Sequence, residues 1–212
     1  MTNKQSMVTE AFLKRYVYTC VLLSSLAFMI SSCGIKEEKK AAQKEESIKQ
    51  EYLQKGREIV SITQSELLRN VSHAIEEGGP GYAVDFCNIR AMVLIDSLSR
   101  LNKCQIRRIA LKYRNPVGMP QTEKEKEQLY QYQDTYQEGE SIKPTVYFFD
   151  DRIEYYQPII IAMEACLKCH GDPGRQIEEK TLEKIKARYP NDLATGFALN
   201  DLRGAWKITF MK

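Results

Sequence analysis

The run Cys166-Leu167-Lys168-Cys169-His170 brings two thiols and an imidazole together. Thiols two residues apart can add to the two vinyl groups of a haem, and a histidine directly after the second thiol reaches the iron. Three side chains then carry separate jobs: two thioether bonds and one axial nitrogen. Other chemistries ask for more than this run offers. A structural zinc ion takes four ligands, and only His73, Cys87 and Cys104 are left to complete a set that lacks a second close pair. A thioredoxin-like redox pair, with Tyr155 to Ile161 as the strand before a reactive Cys166, gives His170 no necessary role. That reading also calls for alternating parallel strands and helices, which the chain does not show. A disulfide between Cys166 and Cys169 closes a loop too short to stabilise much and strains its own geometry.

His170 fills one axial position. For the other the sequence offers His73, Cys87, Cys104 and the methionines Met92, Met119 and Met163, and spacing alone does not choose among them. His73 would give a bis-histidine site from the first helix. Cys104, between a helix and a strand, reads most simply as a buried thiol, and the methionines as packing residues.

Covalent haem attachment occurs outside the cytoplasm, and the start of the chain reads as an export signal. Lys4, Lys14 and Arg15 precede a short apolar run from Tyr16 to Ile30, too short for a comfortable membrane span. Ile30-Ser31-Ser32-Cys33 resembles the lipobox of bacterial lipoproteins, which makes residues 1–32 a cleaved signal peptide and Cys33 the lipid attachment point. An uncleaved anchor is the plainer alternative, and it too carries the rest out of the cytoplasm. Residues 33–47, rich in Lys, Glu and Gln, form a charged tether, and 48–212 form the domain. This places the protein in the cell envelope, lipid-anchored on the periplasmic or outer-membrane side. With 212 residues, 43% apolar and 28% charged, the composition suits one globular domain with appendages. The chain has 31 bases and 28 acids; removing the leader's three bases and one acid leaves 28 against 27. Such a balance predicts no nucleic-acid partner and no polybasic membrane contact beyond the lipid.

The elements that must position the motif follow from periodicity. Ile48, Tyr52, Ile59, Ile62, Leu67, Val71 and Ile75 recur at helical spacing until Gly78-Gly79-Pro80-Gly81 stops the helix. Tyr82 to Leu101 gives a second helix. Gln105 to Tyr113 reads as a strand with Arg107 and Arg108 on opposite faces. Thr122 with Glu125 three residues on starts a polar helix reaching about Gln137. Thr145–Phe149 and Ile153–Ile161 form an antiparallel pair turned at Asp150-Asp151-Arg152. The motif, a helix near Glu178 to Tyr189 and a final strand in Ala205 to Met211 complete the chain. Helices segregated around a small antiparallel sheet make an α+β domain.

Four patches resemble a known family, the c-type haem proteins with a PAS-like fold, long catalogued as a domain of unknown function. They are Gly78-Gly79 through Ala83-Val84-Asp85-Phe86-Cys87; Ile106-Arg107-Arg108 with Arg114-Asn115-Pro116 and Pro120; Cys166 to Gly171; and Tyr189 to Phe197 with Leu202-Arg203-Gly204-Ala205. The resemblance implies a PAS-like antiparallel sheet with flanking helices, and one covalent haem c whose iron is bound by His170 and Cys87. Arg90, one turn past Cys87, and Arg114 are then expected near the haem. Two positions depart from the family pattern: Gly118 for an asparagine and Asn200 for a glycine. Both exchanges are between residues that tolerate positive φ, so the turns should survive.

A thiolate axial ligand favours ferric iron, so the expected haem has a low potential and a closed, six-coordinate site without enzymatic turnover. The expected function is that of a redox or ligand sensor acting through a redox or signalling protein partner. A small electron-transfer cytochrome is the alternative, and a thioredoxin-like oxidoreductase the weaker one.

Overall fold

The structure, a computed structural model, describes residues 4–212, with side chains at Glu37 and from Lys39 onward. Cys33 and the apolar run before it lie outside the residues whose side chains are described. The chain divides into two units, Met1–Gln50 and Glu51–Lys212. The first helix, α1 (Lys4–Ile89), contributes to both.

In the first unit the segment expected as a tether is helical, and its described side chains are almost all exposed. Glu, Lys, Gln and Ala are strong helix formers, and pairs one turn apart, such as Gln50 with Glu46 at 2.7 Å, support the backbone. Among the described residues no helix is long and apolar enough to cross a membrane.

The second unit holds a four-stranded antiparallel sheet. Its strands are β1 (Gln105–Ile109), β2 (Thr145–Phe148), β3 (Arg152–Ile160) and β4 (Leu202–Met211), in the order β1-β4-β3-β2. Four more helices join α1: α2 (Ala91–Leu101), α3 (Glu123–Gln137), α4 (Glu164–His170) and α5 (Glu179–Arg188). The class is α+β, in the expected element order, with α4 added around the cysteine motif.

The expected break in α1 is a kink. Gly79 sits at φ 77°, where a side chain would be strained, and Pro80 follows it with no N–H to give. The buried face of α1 differs from the apolar stripe. Ile62 is exposed, while Ile59, Val60, Thr63 and Leu67 face the sheet. Thr63 can do so because its hydroxyl donates to the Ile59 carbonyl at 2.7 Å. Gly56 belongs to this face too, since a Cβ there would sit inside the ring of Tyr155. With Ala91, Ile106, Tyr155, Trp206 and Ile208 they make the larger core on one side of the sheet.

The other side is covered by α3. Thr122 caps it as expected, its Oγ1 accepting from the Glu125 amide at 3.2 Å. Leu129 and Tyr132 pack on Ile109, Tyr156 and Ala205. The same layer buries an ionic network in which Arg107 and Lys207 donate to Glu125 at 2.7 and 2.9 Å. Lys207 also lies 2.8 Å from Glu154, which accepts from Arg152 and from the Tyr156 hydroxyl.

β1 ends at Ile109, four residues before the expected Tyr113, because Ala110 leaves the sheet to donate to the Gly118 carbonyl at 3.0 Å. Asn200 takes φ 69°, as expected of a residue standing for glycine. Gly118 does not: its φ is not positive, and it lies in a 3-10 turn (Pro116–Gly118) where a Cβ would press on the Arg108 carbonyl at 3.2 Å.

Candidate functional site

The spacing of Cys166, Cys169 and His170, three and four residues apart, puts all three on one face of α4. Leu167 anchors the helix, buried with Ile161, Ala194 and Phe197, a cluster that Cys166 also packs against. The helix ends at Gly171, whose amide donates to the Leu167 carbonyl at 2.9 Å. A Cβ at this position would collide with Gln176 and with that same carbonyl, so only glycine lets the chain turn here.

A loop from Asp192 to Phe197 closes against the motif. Phe197 donates its amide to the His170 carbonyl and Gly196 to the Gly171 carbonyl, both at 2.9 Å. Arg114 is the rivet. It donates to both carboxylate oxygens of Asp192 at 3.1 Å, to the Cys169 carbonyl at 2.6 Å and to the Ala194 carbonyl at 3.2 Å. Three segments far apart in sequence therefore meet at one guanidinium.

The His170 imidazole is oriented by that loop. Its Nδ1 lies 2.8 Å from the Ala194 carbonyl oxygen, which can only accept, so Nδ1 carries the proton. Burial, with Arg203 and Arg114 nearby, holds the His170 pKa well below the ordinary range, so the ring is neutral. Nε2 keeps its lone pair, which is the state a metal requires of a histidine held by a carbonyl behind it.

Cys87, Cys166, Cys169 and His170 all line one cavity of about 720 Å³. That size lies in the range of about 300–1,000 Å³ typical of cofactor pockets. The four cysteines among the described residues are free thiols. Burial raises Cys169 to about 11, and raises Cys87 against the opposing pull of Arg108 and Arg114. A thioredoxin-like fold needs parallel strands, whereas this sheet is antiparallel throughout. Among the described residues no three of His, Cys, Asp and Glu gather into a metal-ion site. A haem makes no such demand, because the porphyrin itself supplies the equatorial nitrogens and the protein adds only axial ligands.

Of the other sequence candidates, Cys104, Met92 and Met163 also line the cavity. His73 and Met119 do not; His73 lies on the exposed side of α1, 3.5 Å from Glu77. Arg114 is part of the wall, whereas Arg90 is exposed at the junction of α1 and α2, outside it. Two wall residues carry no role in the sequence reading, Arg108 and Arg203. Burial lowers the pKa of Arg108, and lowers that of Arg203 to about 9 with Arg108 and Arg114 adding to the effect. These cations would welcome negative charge. An apolar wall including Leu67, Ile106 and Trp206, a free imidazole lone pair, a thiol pair at one edge and underused guanidiniums fit a haem with its propionates.

Comparison with known proteins leads to the same chemistry. The family described as Tll0287-like matches residues 36–210. The crystal structure of the cyanobacterial haem-protein Tll0287 matches at 25% identity and a TM-score of 0.50, covering 69% of this chain and 96% of that one. No curated protein sequence matches.

Proposed function

Since the chain belongs to the Tll0287-like family, with a haem-protein among its structural relatives, we propose that it is an exported c-type haem protein that senses redox state or a small ligand. In this reading one haem is bonded through thioethers at Cys166 and Cys169, and its iron is held by His170 and Cys87. The observation that carries it is the convergence of these four side chains on one cavity, with the His170 Nδ1 already committed to the Ala194 carbonyl.

Bound there, the group would supply one-electron chemistry, and the residues around it decide how that chemistry is used. With an imidazole and a thiolate on the two axial positions, no position is open for substrate, so the reading assigns no turnover. A PAS-like fold, with its antiparallel sheet as one wall of the cofactor cavity, suits sensing. Export and a lipid on Cys33 would hold the domain on the periplasmic or outer-membrane side of the envelope. The signal would pass to a protein partner.

Mass spectrometry of the exported protein, produced with c-type maturation machinery, tests the reading directly. The polypeptide is expected to carry the added mass of one haem, to stay red after denaturation, and to lose both properties in Cys166→Ala/Cys169→Ala. A colourless wild-type polypeptide of unmodified domain mass would overturn it. The sensor and carrier versions differ in a second measurement: on reduction a sensor changes its hydrodynamic radius or its retention of a partner, and a carrier changes neither.

A further inference from the structure

Arg108 and Arg203 enter the cavity from adjacent strands, and neither has an acidic partner among the described residues. On β1, alternation sends Arg107 to the α3 side and Arg108 to the cavity side, where it pairs across the ladder with Trp206. On β4 the same rule would send Arg203 to the α3 side with Ala205 and Lys207. It does not, because the β3–β4 register slips there: Ile159 pairs with Gly204 and Ile160 with Leu202, leaving Arg203 as the extra residue. A bulge of this kind re-aims one side chain. Gly204 makes it sterically possible, with φ 154° and no room for a Cβ against the Ile109 carbonyl and Ala110.

The two guanidiniums are underused. Arg203 donates to the Lys112 carbonyl at 2.9 Å and lies over the Phe197 ring at 5.3 Å. Arg108 lies over the Trp206 ring at 5.7 Å and forms no ion pair with a described residue. Asp96 also lines the cavity and pairs with neither, and Asp192 is taken by Arg114. Two cations that face one cavity without counter-charge repel each other, and a bulge that adds the second one to that cavity leaves both open to an anion. A guanidinium fork matches a carboxylate with two parallel hydrogen bonds.

We propose that Arg108 and Arg203 form a clamp for a pair of carboxylates, and that the pair is the two propionates of the haem. This rests on the haem reading above. Two unmatched cations meet two carboxylates, which neutralises the cavity.

Resonance Raman spectroscopy of the haem-loaded protein reads the propionate bending modes. Arg108→Gln and Arg203→Gln are each expected to lower the frequency of one mode, the double variant to lower both, and Arg203→Lys to give a smaller shift than Arg203→Gln. The reduction potential is expected to fall in both glutamine variants, since each removes a positive charge beside the haem. Should Arg203→Gln fail to mature, Arg108→Gln and Arg203→Lys carry the same test. Propionate modes that stay at their wild-type positions in every matured variant would overturn the clamp while leaving the covalent haem standing. A response of the wild-type spectrum to acetate, with unmoved propionate modes, would assign the pair to a free carboxylate and overturn the proposal equally. Absence of haem mass, by contrast, strikes the reading on which it rests.

Discussion

Lys207→Ala is expected to lower the unfolding free energy by about 3 kcal/mol, the lower end of the cost of breaking a buried ion pair from one side. Lys207 lies between Glu125 and Glu154, at 2.9 and 2.8 Å, and all three side chains are more than nine-tenths buried. Removing the ammonium leaves two carboxylates facing each other in the layer under α3. The loss stays near the lower end because Arg107 still donates to Glu125 and Arg152 to Glu154. Denaturant titration should show a lower midpoint with an unchanged slope. The haem spectrum should not change, since Lys207 lies on the face of the sheet away from the cavity. Lys207→Met, which restores volume without charge, should be nearly as destabilised. Adding Glu125→Gln and Glu154→Gln to it should recover most of the loss. A Lys207→Ala protein as stable as wild type would show that the two arginines suffice.

The same network sets a pH dependence. Burial alone would raise the Glu154 pKa, but hydrogen bonds from Lys207, Tyr156 and Arg152 overcome it and hold the group below the ordinary carboxylate value. A carboxyl whose folded pKa is depressed contributes stability above its unfolded pKa and loses that contribution as pH falls through the folded one. The wild type therefore loses stability in acid, and Lys207→Ala, lacking the main hydrogen bond that depresses the pKa, loses less of it over the same range.

Local rules carried much of the fold. Gly79-Pro80 interrupts the first helix, Thr122 caps α3, and strand alternation separates Arg107 from Arg108, because each depends on residues a few positions apart. The rest needed tertiary information. Gly56 and Thr63 belong to the buried face of α1 although neither is apolar, one to admit the Tyr155 ring and the other by bonding its own backbone. Glu125, Glu154 and Lys207 are buried although charged, which no local rule announces, since each comes from a different element. At the site, the thiol pair and His170 were legible because five consecutive residues hold them. Cys87 was reached only through a resemblance, for no periodicity links the end of α1 to α4. Arg203 was missed because the expected strand began at Ala205, and the bulge that turns it toward the cavity depends on pairing with β3; the glycine beside it was the one local signal.

Cys87→Ser should change the ligation of the iron while leaving the thioether attachment intact. Serine keeps the size and polarity of the side chain, so α1 and the cavity wall are retained while the soft, anionic donor is lost. In the protein alone, burial keeps the Cys87 thiol protonated against the pull of Arg108 and Arg114. A metal ion reverses that balance, because a coordinating thiol gives up its proton. A thiolate then stabilises ferric iron more than ferrous, which depresses the potential. Its removal is expected to raise the reduction potential by on the order of a few hundred mV, out of the roughly 0.8 V that axial ligands command. Absorption spectra should change most in the ferric state, where the thiolate donates most strongly. Met92→Leu, in the same cavity wall, should leave both spectra and potential where they were. Unchanged spectra in Cys87→Ser would remove the thiolate from the iron. The sixth position would then pass to Met92, Met163 or Cys104, which share the cavity, and with a methionine there the argument for a low potential would fall.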